Sequence, residues 1–133
     1  MKSTSPRFRK LIAAAMAVRR HAHAPYSKFR VGAALLTKSG KVYTGVNVEN
    51  ASYGLTNCAE RVAVGKAVSE GHRKFRAIAV AAPSTSLSPC GACRQVLAEF
   101  GEMVVICADS RNTRRVEIHL LSELLPHAFE LKQ

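Results

Sequence analysis

Asn57-Cys58-Ala59-Glu60-Arg61, answered further along by Pro89-Cys90-Gly91-Ala92-Cys93-Arg94-Gln95, is the pair of segments on which the reading of this 133-residue chain turns. Together they hold three thiols and one carboxylate. A C-x-x-C pair alone suits a redox motif or half of a structural zinc site. A third cysteine with Glu60 two residues beyond it adds a proton carrier to a ligand set, and that combination points to catalysis. Zinc in catalytic sites takes three protein ligands and keeps a fourth position for water, whose pKa it lowers to about 7. Cys58, Cys90 and Cys93 leave that position open.

The flanking residues read as helix starts. Ser88 and Pro89 suit an N-cap and first turn, which would put Cys90 and Cys93 on one face, and Asn57 suits a cap before Cys58. Two such helices aim backbone N–H groups and a positive dipole end at the metal and favour thiolate over thiol. Arg61 and Arg94 stand close enough to offset part of the cluster's negative charge. Asn57-x-x-Glu60 is also a capping-box pattern, in which Glu60 would only accept the cap's backbone N–H. A structural site would need a fourth ligand from Cys107 or the five histidines. Cys107 lies in an apolar run and reads as a small buried residue, and the histidines are scattered.

Working outward, residues 6–21 read as an amphipathic helix with Ser5 as cap and Pro6 at the first position. A signal-peptide reading competes, from basic residues up to Lys10, the apolar run 11–18 and Ala22-His23-Ala24. Arg19 and Arg20 sit where such a peptide is neutral, so a retained helix is expected. Val31 to Thr37 and Val42 to Val48 form a hairpin around Lys38-Ser39-Gly40-Lys41. A polar loop, 49–56, leads to a helix from Cys58 to about Glu70, stopped by Gly71. Phe75 to Ala82 suits a buried central strand. A second cysteine-bearing helix is expected from Pro89 to about Phe100, then strands near 103–108 and 115–120 and a last helix from about Ser122. This order predicts one α/β domain over residues 1–133 with a mixed sheet of about five strands, and a right-handed crossover that sets the two cysteine-bearing helices side by side.

The blocks together resemble the zinc-dependent cytidine deaminases, of the small three-cysteine, homotetrameric kind, whose superfamily signature is a ligand-x-Glu followed by P-C-x-x-C. The likeness runs from Pro25-Tyr26-Ser27-Lys28-Phe29-Arg30-Val31-Gly32 through residues 45–54 and both cysteine segments to Leu124-Leu125-Pro126-His127-Ala128-Phe129. It implies a three-layer α-β-α fold, one Zn2+ per subunit on Cys58, Cys90 and Cys93, and Glu60 as the shuttle that moves protons from the zinc-held water to the cytosine ring and its amine. The activity implied is that of a hydrolase acting on the C–N bond of a cyclic amidine. Asn47 and Glu49, two apart and on one side if on a strand, read by spacing as a loop-capping pair or a ribose-holding pair. The resemblance implies the second. It implies further that Phe29 packs on the pyrimidine, that Ala59 orients the amine through its backbone, and that Ala51, Tyr53 and Phe129 reach pockets of neighbouring subunits, so that a homotetramer shares its active sites.

Related deaminases of nucleotides and nucleic acids usually carry His where Cys58 stands. The blasticidin-S type shares the cysteines, but its pattern does not keep the acid of Asn-x-Glu. Cytidine and deoxycytidine, in cytoplasmic pyrimidine salvage, are therefore the expected substrates. No stretch approaches the roughly 20 apolar residues that span a bilayer, and cysteines committed to a metal fit a reducing compartment. The formal charge of +11, with ten basic and no acidic residues before Glu49, could attract RNA or single-stranded DNA. The chain has no tryptophan and few aromatics among its basic residues, so a stacking platform is not expected.

Overall fold

The computed structural model describes residues 5–112 and 114–131; residues 1–4, Thr113, Lys132 and Gln133 of the expected domain lie outside them. Helix α1, Pro6–Val18, continues into a 3-10 turn, Arg19–His21. Strands β1, Gly32–Thr37, and β2, Val42–Val46, make the expected hairpin. Helix α2, Ala59–Ser69, and strand β3, Phe75–Ala82, follow. Helix α3 is Gly91–Ala98, β4 is Val104–Asp109, β5 is Val116–Leu120 and α4 is the short Leu121–Leu124.

The sheet order is β2-β1-β3-β4-β5. Only β3 and β4 run parallel, and α3 forms the crossover between them. The sheet is therefore mixed, with five strands. Its alternating side chains feed two separate cores, because successive residues of a strand point to opposite faces. Ala34 and Leu36 of β1 join Ala77, Ala79 and Ala81 of β3 under Leu11, Ile12 and Ala15 of α1. Ala33 and Leu35 join Ile78 and Val80 under Ala63, Val64 and Ala67 of α2 and Leu97 of α3. This gives three layers, α1 below and α2 with α3 above. The first helix is thus part of the core, as its amphipathic pattern predicts.

Two glycines set how closely the helices sit on the sheet. A Cβ at Gly32 would lie 2.1 Å from the carbonyl oxygen of Ala15, and one at Gly45 would lie 2.3 Å from that of Ala59. No side chain fits in either gap. Gly45 matters more for function, since Ala59 is the first residue of α2 and stands between Cys58 and Glu60.

The ends of the two cysteine-bearing helices differ from expectation. Cys58 and Cys90 are themselves the N-cap residues, both with extended backbone, in place of Asn57 and Ser88. Each cysteine's carbonyl accepts the first helical bond, from Val62 and Arg94 respectively. Asn57 instead pairs with Val48 through two backbone hydrogen bonds. Glu60 is consequently the second residue of its helix, one short of the third-position place that a capping box needs.

Candidate active site

Because Cys58 and Cys90 cap two helices that start side by side, their thiols and that of Cys93 converge. The Sγ atoms of all three lie within 4.8 Å of one another. Cys58 Sγ is 3.9 Å from Cys90 Sγ, which is 3.5 Å from Cys93 Sγ. A zinc ion with Zn–S bonds of about 2.3 Å in tetrahedral geometry requires sulfur separations of about 3.8 Å, so the donor set fits zinc as it stands. Among the described residues this is the only cluster of three or more His, Cys, Asp or Glu side chains with that spacing. Neither Cys107 nor a histidine supplies a fourth ligand, which leaves one coordination position open.

The thiols are unequal. Cys58 is drawn down to about 5, first by its hydrogen bond with Cys93 and then by Arg61, whose Nη2 donates to Cys58 Sγ at 3.2 Å. Cys93, fully buried, is pushed up, first by that same bond with Cys58 and then by desolvation. Arg61 thus meets a ligand sulfur directly. Arg94 does not. Its Nε donates to Pro89 O at 2.8 Å, Nη1 to Leu124 O at 2.8 Å and Nη2 to Ser88 Oγ at 2.6 Å. The guanidinium fastens the loop before Cys90 to the C-terminal segment, because three oxygens converge on its fork and no thiol does.

Glu60 is 5% exposed, and burial pushes its carboxyl up to about 7. It opens with Cys58 and Cys90 onto a cavity of about 280 Å³. Ala59 lines the cavity floor, and Phe29, Asn47 and Glu49 border it from the hairpin side. Tyr53 also borders this chain's own cavity, although it was expected to reach a neighbour's. Ala51 is exposed in a bend outside the lining, and Phe129 is also exposed outside it, its carbonyl accepting from Gln95 Nε2 at 3.0 Å.

Asn47 and Glu49 lie beyond the end of β2, on either side of the isolated bridge at Val48. Both side chains are engaged with backbone. Asn47 Oδ1 accepts from Val31 N at 2.9 Å, and its Nδ2 donates to Phe29 O at 2.8 Å. Glu49 Oε1 accepts from the N–H groups of Tyr26 and Ser27, and Oε2 from the Ser27 hydroxyl. The Ser27 hydroxyl and these amides hold the Glu49 carboxyl below its usual range. The pair therefore fixes the segment that carries Phe29, as the loop-capping reading has it, while facing the cavity. Sequence reasoning missed Ser27 and Gly45. Ser27 lay inside a quoted block but carried no signal of its own, since its partner is 22 residues away.

Comparison with known proteins agrees with this geometry. The family model described as the cytidine and deoxycytidylate deaminase zinc-binding region matches residues 7–108. A probable cytidine deaminase of Dictyostelium discoideum is 53% identical over 123 residues, covering 90% of this chain and 82% of that protein. A cytidine deaminase of Sporosarcina psychrophila is 51% identical, covering 90% and 89%. The crystal structure of cytidine deaminase from Burkholderia pseudomallei superposes with a TM-score of 0.86 at 49% identity, covering 91% of this chain and 98% of that one.

Proposed function

This chain belongs to the cytidine and deoxycytidylate deaminase family, and from that membership we propose that it deaminates cytidine and 2'-deoxycytidine by hydrolysis to the uridine nucleosides and ammonia. The observation that carries the reading is the buried Glu60 beside three converging thiols, with Glu60, Cys58 and Cys90 lining a cavity of about 280 Å³. Cys58, Cys90 and Cys93 hold one zinc per subunit, which when bound supplies the Lewis acidity that brings a water's pKa to about 7.

The chain's own groups do the rest. Glu60 would accept a proton from the attacking water as its oxygen bonds to C4 and pass that proton to ring nitrogen 3, then take the second proton from that oxygen and pass it to the exocyclic amine. The C4–N bond breaks, ammonia departs, and the water's oxygen remains on C4. A carboxyl kept in the neutral range by burial suits a group that must both take and give a proton. Ala59 presents backbone to the amine, Phe29 packs on the ring, and Asn47 with Glu49 meets the ribose. For that last contact the Glu49 carboxylate exchanges or shares its Ser27 hydroxyl with a ribose hydroxyl.

A homotetramer completes the site in this reading. Tyr53 and Phe129, each 71% exposed, and Leu55 at 66% are large apolar side chains that a neighbouring copy would cover. We place the enzyme in cytoplasmic pyrimidine salvage, supported by four unpaired cysteines. No helix among the described residues is long and apolar enough to cross a membrane.

The test is ammonia release, followed with the ultraviolet change, from cytidine, deoxycytidine, cytidine monophosphate and blasticidin S. Turnover of both nucleosides, well above the other two, is expected. Failure of zinc-loaded protein to turn over either nucleoside would overturn the reading, and activity on blasticidin S alone would replace it.

A further inference from the structure

The catalytic cavity lies at one end of the sheet, where Gly32 of β1 stands beside Val46 and Ala81. The other end, where Leu36 stands beside Val42 and Ala77, has a different character. There the N-terminal half of α1 and the hairpin edge enclose a groove of about 870 Å³. Its rim carries Arg7, Lys10 and Arg76, from α1 and β3, and its floor is apolar, with Phe8, Leu36 and Val42. Among the described residues, no carboxylate lines it.

The positive charge continues past the groove along a ridge built by backbone bonds. Lys38 N donates to Lys74 O at 2.9 Å, which fixes the hairpin turn against the residues leading into β3. Arg76 Nη2 donates to Lys38 O at 3.4 Å. Lys38, Lys41, Lys74 and Arg76 are all exposed, and these contacts hold Lys38, Lys74 and Arg76 together. Among the described residues, none of them, nor Arg7 or Lys10, pairs with a carboxylate. Glu102, at the sheet's same end, is engaged instead by Ser122. Like charges crowded without counter-charges repel one another, and an anionic partner relieves that repulsion.

We propose that this groove and its ridge bind single-stranded nucleic acid, with phosphates on Arg7, Lys10 and Arg76 and unpaired bases on the apolar floor. A ridge of cations running beyond the groove suits a polymer, since a single small anion would leave most of it uncovered. The apolar floor with Phe8 suits base faces, which an acidic peptide does not offer. The groove is separated from Glu60 by the length of the strands, roughly 17 Å at about 3.3 Å per residue. Binding there is consequently a second property of the chain, outside the reaction at the zinc site.

The experiment measures fluorescence anisotropy of a labelled single-stranded RNA of about 20 nucleotides between about 50 and 200 mM salt. Three phosphate contacts give a log–log salt slope of about −2, at roughly −0.7 per contact. Lys10→Glu with Arg76→Glu is compared with Arg20→Glu plus Arg114→Glu, which makes the same change in net charge at other exposed positions. The groove variant is expected to bind at least about tenfold more weakly with a slope shallower by about 1.4, and the control to keep wild-type slope and most of its affinity. Cytidine turnover, unchanged in both, reports that they are folded, and Lys10→Gln with Arg76→Gln repeats the test without charge reversal. Equal weakening in groove and control variants would reduce the effect to net charge and overturn the proposal. So would absence of binding at the lowest salt, or polyglutamate competing as well as RNA, which would move the assignment to an acidic protein.

Discussion

Cys58 and Cys107 carry the same thiol in two regions that treat it in opposite ways. Cys58 caps a helix, is half-buried, and is drawn down to about 5, first by its hydrogen bond with Cys93 and then by an Arg61 N–H. Cys107 sits mid-strand in β4, buried in the upper core, and is pushed up to about 12, first by burial. What separates a ligand from a packing residue is therefore the backbone that begins beside it. At the start of α2, the neighbouring Cys93 thiol and an arginine stabilise a thiolate that zinc can take. In the strand every backbone group is committed to β3 and β5, and the sulfur only fills space.

The largest expected effect breaks the first side of that comparison. Cys58→Ala removes one of three ligands, so zinc content by atomic absorption falls toward background and cytidine turnover drops more than about 10³-fold. Retention of full zinc would show that Cys58 is not a ligand. Next comes Gly45→Ala, whose added Cβ would meet the Ala59 carbonyl oxygen at 2.3 Å. The start of α2 must shift, at a stability cost of about 1–3 kcal/mol in urea denaturation. Displacing Glu60 by about 1 Å lowers kcat by roughly 10²-fold. Wild-type kcat in this variant would mean that the closeness of α2 to β2 does not set the site.

Cys107→Ala sharpens the other side. Loss of one buried atom costs about 1 kcal/mol of stability, while zinc stoichiometry and turnover stay at wild type. The smallest effect tests a charge remote from the metal. Asp109 accepts from Arg111 and Arg115, and the Arg111 hydrogen bond first of all holds its carboxyl below the usual range. A depressed folded pKa contributes stability that is present above the unfolded value of about 3.9 and is lost as pH falls through the folded one. The advantage of wild type over Asp109→Asn in thermal unfolding should thus be full above about pH 4 and narrow below it. An advantage that does not change with pH would remove the ion pairs from the account.

The residues also show what could be seen in the chain before its fold. β3 is found at the expected bounds, Phe75–Ala82, because a run of eight residues of which seven are apolar, following the helix stop at Gly71, has the length and composition of a buried strand. The cysteine pattern brought its three thiols together as expected. The helix starts were misplaced by one or two residues, since Asn57 and Ser88 carry cap-forming oxygens and cysteine does not advertise that role. Long-range bonds were out of reach. The grip of Glu49 on Ser27 and of Arg94 on Leu124 spans 22 and 30 residues, and only the folded chain brings those partners together.

The central claim is that three thiols hold the metal while Glu60 moves the protons. Glu60→Gln keeps the shape of the side chain and removes its ability to accept a proton, so zinc content and cytidine turnover measured on the same sample separate the two roles. We predict one zinc per chain, as in wild type, with kcat lowered by about 10²–10⁴-fold. Turnover within a few-fold of wild type at full zinc would contradict the assignment, and loss of zinc in parallel with turnover would make Glu60 part of the metal site instead.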